Sequence, residues 1–167
     1  MARTEIERTV RQSVFDRLID LEPASGVEPM PTFAQSVRTL KANLRRDLEW
    51  LLNSRRTPVE VPAPFEELAR SMFTYGLPDI TSLSRDATDT RGILLREVES
   101  AIARFEPRLM KVRVGLRESE GPGASRELHF VVEALLKMDP NPEQVVFDTV
   151  LELSSGDFEV KGGSAGA

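Results

Sequence analysis

Phe105-Glu106-Pro107-Arg108-Leu109 is where the chain changes period. Upstream, Ile93, Leu94, Val98, Ala101, Ile102 and Phe105 recur at spacings of three and four, which predicts one apolar helix face. Downstream, Met110, Val112, Val114 and Leu116 alternate with Lys111 and Arg113, and Arg117 follows, the period of a half-buried strand. The ring of Pro107 disfavours the α conformation at Glu106, so the helix is expected to stop there. Glu106 and Arg108 are thereby set on either side of a rigid ring at a sharp change of direction.

Working outward from that corner, the N-terminal side reads as helices and the C-terminal side as strands. Residues 4–21 can form a helix with Ile6, Val10, Val14, Phe15, Leu18 and Leu21 on one side. Pro23, Gly26, Pro29 and Pro31 break it off as a linker. A second helix near 34–54 places Val37, Leu40, Leu44, Leu48 and Leu51 on one face, with Trp50 expected in the core. Arg38, Lys41 and Arg45 lie beside that stripe, and Arg55 and Arg56 follow where cations oppose the helix dipole favourably. Pro58, Pro62 and Pro64 precede a short helix near 65–73. Tyr75-Gly76-Leu77-Pro78-Asp79 then reads as a turn in which Gly76 is free to take a positive φ, with Tyr75 and Leu77 packing inward.

Strands are expected near 109–117, 127–137, 144–153 and 157–161. Leu128, Phe130, Val132, Ala134 and Leu136 share one face of the second, and Val145, Phe147, Thr149, Leu151 and Leu153 one face of the third. Gly121-Pro122-Gly123, Pro140-Asn141-Pro142 and Ser155-Gly156 supply consecutive reversals. The expected fold class is α+β, N-terminal helices packed on a C-terminal antiparallel meander of three to four strands. Domain organisation follows: residues 1–32 a helix and Pro-rich linker, 33–161 the main domain, and 162–167 a small-residue disordered tail.

Composition narrows the function. The chain has 167 residues, enough for a sizeable core. No apolar run approaches a membrane span, and no export signal is visible. With no cysteine and one histidine, disulfides and multi-thiolate or multi-histidine metal sites are excluded. The net charge is −5, unsuited to duplex nucleic acid. Its distribution is uneven, −8 over residues 118–160 and +3 over 89–117, which suits protein partners of opposite local charge.

A search for chemistry ends without a candidate. There is no phosphate-cradling loop, no metal-spaced cluster and no nucleophile elbow to accompany His129, which falls on a solvent-facing strand position with Glu133. A glycosidase would need two carboxylates across a cleft, one with a raised pKa. Glu106 is the obvious general acid for that alternative, a peptidoglycan-cleaving activity. Arg108 two residues away pulls in the wrong direction.

Four ordered motifs carry a family resemblance. They are Ser13-Val14-Phe15-Asp16-Arg17-Leu18, the helix Asn43-Leu44-Arg45-Arg46-Asp47-Leu48-Glu49-Trp50-Leu51-Leu52-Asn53-Ser54-Arg55-Arg56, then Tyr75-Gly76-Leu77-Pro78-Asp79, and Glu106-Pro107-Arg108. Together, over roughly residues 11–117, they resemble the baseplate family that starts sheath assembly in contractile tails. That family comprises the TssE proteins of type VI secretion and a small phage baseplate wedge protein, and is called lysozyme-like in older naming. The resemblance implies a non-enzymatic structural component without cofactors, at the cytoplasmic face of the inner membrane. Its implied partners are the wedge proteins TssF, TssG and TssK and the sheath subunits TssB and TssC. Glu106, Pro107 and Arg108 would meet the wedge, with Arg45, Arg46 and Tyr75 as further partner-binding residues. The C-terminal meander would pair with sheath strands by β-augmentation, with Glu159 on the template edge, where proline should block pairing. Arg108→Ala is expected to leave the fold intact.

Overall fold

In the computed structural model the described residues are 10, 12–19, 23–24, 26, 31–79, 88–117, 127–139 and 141–165. Two compact units are present, Met1–Leu44 and Arg45–Ala167. The first holds helix α1, Val14–Leu18. Among the described residues of the helix that the sequence predicts over 4–21, Val14–Leu18 are helical. Ser13 ends it on the N-terminal side: its hydroxyl oxygen accepts from the Asp16 N–H at 3.1 Å, and the hydroxyl donates to Asp16 Oδ2 at 2.7 Å. Such a cap competes with helix continuation through residue 13. Of that predicted helix, residues 4–9, 11 and 20–21 lie outside the described residues, as does most of the linker.

Helix α2, Phe33–Asn53, begins at a capping box. The Thr32 N–H donates to Gln35 Oε1 at 2.8 Å and the Gln35 N–H to Thr32 Oγ1 at 3.3 Å. Leu40, Leu44, Leu48 and Leu51 are buried as their spacing predicts, Leu52 joins them, and Val37 is half-buried. Trp50 departs from expectation: it is 50% exposed. At 3.6 residues per turn it lies roughly 120° around from the middle of the leucine stripe, so the helix that buries the leucines turns the indole outward.

The second unit continues with α3, Glu66–Ala69, a 3₁₀ turn at Met72–Thr74, and α4, Thr88–Phe105. The short helix predicted over 65–73 is thus split in two. Helix α4 stops at Phe105, one residue before the corner, as the proline requires. Leu94, Val98, Ala101 and Ile102 are buried, but Ile93 is 43% exposed, so the buried stripe is narrower than the apolar pattern. Between α2 and α4 the chain returns to pair with the end of α2. The Leu77 N–H donates to the Ser54 carbonyl and the Arg56 N–H to the Leu77 carbonyl, both at 2.9 Å. Leu77 is fully buried there, and Gly76 takes φ +97°.

The strands are β1 Leu109–Leu116, β2 Glu127–Leu136, β3 Glu143–Glu152 and β4 Phe158–Ala165, a consecutive antiparallel meander. The fold is therefore α+β, as the patterning implies. Phe130, Val132, Ala134 and Leu136 of β2 are buried on one face with Val145, Phe147, Thr149 and Leu151 of β3 and Phe158 and Val160 of β4. Phe130 and Phe158 meet edge to face at 5.9 Å between centroids.

Two bulges depart from simple alternation. On β1, Met110 pairs with Leu135 but Arg113 with Glu133, one extra residue, and Lys111 takes φ +51°. That residue switches the strand's facing, so Leu109 and Val114 share the core side while Met110 joins the outer side. Met110, Val112, Val114 and Leu116 therefore do not lie on one face. On β4, Asp148 pairs with Lys161 but Phe147 with Gly163. Past that bulge, Ser164 and Ala165 pair with Val146 and Val145. Residues 162–165 thus extend the strand where the small residues predict a disordered tail. Ladder bonds use backbone groups alone, so small side chains do not prevent pairing.

Candidate functional site

The corner after α4 is built by Glu106, Pro107 and Arg108. Glu106 is 5% exposed and closes the last turn through its N–H to the Ile102 carbonyl. Arg108 folds back on it as a fork, Nε donating to Oε1 and Nη2 to Oε2, both at 2.6 Å. The proline makes this geometry: it holds the two residues on one side of a tight reversal, and the Arg108 N–H also donates to Glu106 Oε1 at 3.2 Å.

Two distant elements tie into the same fork. Arg108 Nη2 donates to Asp47 Oδ2 of α2 at 2.6 Å. From the end of β2, the Lys137 N–H donates to the Arg108 carbonyl at 2.8 Å and Lys137 Nζ to the Pro107 carbonyl at 2.6 Å. The Asp47 oxygen not used by Arg108 accepts from Arg46 Nε and Nη2 at 3.1 and 2.8 Å, and the Arg46 guanidinium carbon stands 4.9 Å from the Trp50 ring centroid. Arg108 is held firmly protonated, first by its bonds to Glu106 and then by those to Asp47, with burial opposing. Asp47 and Lys137 are members of this network that the sequence reading missed. Nothing in their spacing points to Arg108, because the partners are 61 and 29 positions apart.

Helix α2 is bound at both corners of the sheet. Asp47 reaches the start of β1, while Asn53 takes both backbone groups of Phe158 at the start of β4, accepting at 2.8 Å and donating at 2.9 Å. These are opposite edges of the meander and opposite ends of its strands, so this stretch of α2 crosses the sheet diagonally.

Of the residues singled out from sequence, Glu106, Pro107, Arg108, Arg46 and Tyr75 come together. Tyr75 stacks edge-on against Phe105 at 5.2 Å. Arg45 is exposed and makes none of these contacts. Glu159 lies apart on β4 beside Lys161, at 3.2 Å. Its backbone faces inward: Phe158 gives both groups to Asn53, so by alternation Glu159 gives its own to Val150 of β3. Proline at Glu159 would break the internal ladder rather than block an outer edge.

The Glu106 carboxylate has both oxygens bound in the Arg108 fork, and Asp47 shares the same guanidinium. This is a braced ion-pair network, without the open carboxylate pair a glycosidase requires. A groove of about 900 Å³, lined by Arg55, Arg56, Val59, Thr74 and Arg104 among others, does not include Glu106. Among the described residues no cluster of His, Asp or Glu could hold a metal ion, and no helix is long and apolar enough to cross a membrane.

Burial, followed by the charges of Asp47 and Glu106, raises the Tyr75 pKa above its ordinary value of 10.0. Tyr75 is the only tyrosine, so absorbance near 295 nm titrates it alone. The midpoint should lie above 10 in the folded protein and fall to the ordinary value on denaturation. The native state holds the proton more tightly, so this contribution to stability is present below pH 10 and is lost as pH rises through the folded pKa. A folded-state midpoint at or below 10 would show that the phenol does not sense the carboxylates.

Fold and site together define a small α+β domain in which the charges of Glu106, Arg108, Asp47 and Arg46 at the corner pair with one another. A family model described as baseplate wedge protein gp25 matches residues 38–141, and the chain belongs to that family of baseplate structural proteins, which assemble with other baseplate proteins. The match takes in α2 from residue 38 onward, α4, the Glu106–Arg108 corner, β1 and β2; β3 and β4 lie beyond it. No curated protein and no solved structure matches the chain.

Proposed function

We propose that this protein is a TssE-like component of the type VI secretion baseplate that joins the wedge and templates the first sheath subunits, without an enzymatic role. Family membership supports the baseplate part of that reading. On it, residues 33–161 form the wedge domain, and the Glu106-Pro107-Arg108 corner with Arg45, Arg46 and Tyr75 faces TssF, TssG and TssK. The sheath subunits TssB and TssC pair with the C-terminal meander, and the assembly sits at the cytoplasmic face of the inner membrane.

The observation that carries the templating reading is the state of the two sheet edges. On the outer side of β1, the Val114 N–H donates to Glu99 of α4 at 3.1 Å, so a helix side chain already occupies part of that edge. On β4, Asn53 occupies Phe158 and no further. By alternation Val160 is the next residue with its backbone groups turned outward, and β4 is the terminal strand among the described residues. An edge that no described strand covers can accept an extended segment from another chain.

Lys161 is exposed and the chain has no cysteine, so Lys161→Cys creates a single thiol beside that edge. In cells carrying single cysteines along the extended arms of the sheath subunits and treated with the permeant thiol oxidant diamide, disulfides should form at alternate arm positions, the period of a paired strand. Fluorescent sheath foci and co-purification with the wedge proteins would be scored in the same cells. Normal foci without any disulfide to position 161 would remove β4 as the template edge.

A further inference from the structure

Helix α4 sets a carboxylate against the β1 edge of the sheet. Val98 and Ile102 are fully buried, and Glu99 lies about 100° around the helix from Val98, at the flank of the buried stripe. From there Glu99 Oε2 accepts the Val114 N–H at 3.1 Å. The Arg117 N–H donates inward to the His129 carbonyl at 2.9 Å, so by alternation Leu116 and Val114 turn their backbone groups away from β2. Glu99 makes no ion pair among the described residues; its charge is given to one backbone donor of an outer strand. A strand arriving at β1 must displace that carboxylate and bring its own carbonyl oxygen up beside it, where the two repel.

A meander whose first and last strands are both open can add copies of itself without end. β4 of one copy pairs with β1 of the next, and a head-to-tail contact of that kind does not close. Pairing of β1 with β1 is disfavoured. Lys111 and Arg113 are exposed there without an ion pair among the described residues, so two β1 strands would bring like charges together. β4 carries Glu159 beside Lys161, 3.2 Å apart, a pair with no net charge.

We propose that Glu99 is a guard of the β1 edge: by holding the Val114 N–H it keeps β1 from accepting β4 of a second copy of this chain, and leaves the sheet open on one side only. This rests on the reading of β4 as the open edge, and adds what keeps that edge from being consumed by the protein itself.

The test uses the full chain alone. In the unmodified protein, amide exchange followed by NMR should show Val114 exchanging roughly ten-fold more slowly than Leu116 once intrinsic rates are removed, the worth of one bond to a charged acceptor. In Glu99→Ala, at a dilution where it is monomeric, that difference should vanish. On concentration, sedimentation velocity should show Glu99→Ala growing into species beyond dimers while the unmodified chain stays monomeric. Glu99→Gln, whose amide oxygen still accepts the Val114 N–H, should associate far less than Glu99→Ala. Equal exchange at Val114 and Leu116 in the unmodified chain removes the guard even where Glu99→Ala does not fold. A folded Glu99→Ala that stays monomeric at every concentration removes it too. Association that stops at dimers assigns β1 to itself and overturns β4 as the occupant. Glu99→Gln associating as strongly as Glu99→Ala assigns the protection to charge and overturns the bond. All of these outcomes leave the sheath reading standing, because that reading is tested by disulfides to position 161. Absence of those disulfides while Glu99→Ala still grows removes the sheath reading and keeps the guard.

Discussion

Arg108→Ala is expected to lower the thermal unfolding midpoint by roughly 6–20 °C. Removing the guanidinium leaves the Glu106 carboxylate buried without its fork and Asp47 without one of its donors. Breaking a buried pair from one side costs about 3–5 kcal/mol, and each kcal/mol moves the midpoint by roughly 2–4 °C for a chain of this size. The sequence alone predicts an intact fold for this variant, because a Glu and an Arg two residues apart read as a surface pair worth about 0–1 kcal/mol. Burial of Glu106 reverses that expectation. Glu106→Gln added to Arg108→Ala should recover part of the loss, since it removes the stranded charge. Lysine at 108 should recover little, because a point charge cannot fork across both oxygens. An Arg108→Ala midpoint equal to that of the unmodified protein would show that the network is incidental to stability.

Gly76→Ala should do more damage still, although it adds one carbon. Gly76 takes φ +97°, and a Cβ there would stand 2.3 Å from the Ser54 carbonyl oxygen and 2.6 Å from its carbon. Both are backbone atoms, and that oxygen also accepts the Leu77 N–H at 2.9 Å. The Ser54–Leu77 pairing must open to admit the methyl, exposing fully buried Leu77, at a cost of about 4 kcal/mol or beyond. We expect the variant to be recovered largely unfolded by circular dichroism. Gly92→Ala is the control. It lies inside α4, its Cβ would meet only Arg96 Nη1 at 3.9 Å, and alanine there should stabilise by about 0.5–1 kcal/mol. Equal behaviour of the two variants would contradict the tight approach at Ser54.

The order of elements was legible because each rests on local chemistry. The apolar spacing along α2 and α4, the proline after Glu106 and the alternation in β2 and β3 act over a few residues, and they produce the α+β meander directly. The position of the corner and the positive φ of Gly76 were readable for the same reason. The bulge at Lys111 was not, since a positive φ at lysine is set by the pairing of Leu109 with Leu136 and of Arg113 with Glu133. Nor was the strand character of Gly162–Ala165, which depends on β3 offering partners.

For the candidate site, sequence determined which charges stand at the corner, and tertiary structure decided which way they face. Glu106 and Arg108 are adjacent by covalent connection, so their meeting needs no fold. Whether that pair is a solvated knuckle or a buried brace depends on Asp47 and Lys137 arriving from α2 and β2, 61 and 29 positions from Arg108. The same holds for Trp50. Its place among leucines suggests core, but helix geometry sets it off the buried stripe, and Arg46 then holds it at the surface. Local periodicity specifies elements because its causes lie within a few residues of one another. Burial and charge pairing belong to groups brought together by the whole fold, and only the folded chain fixes them.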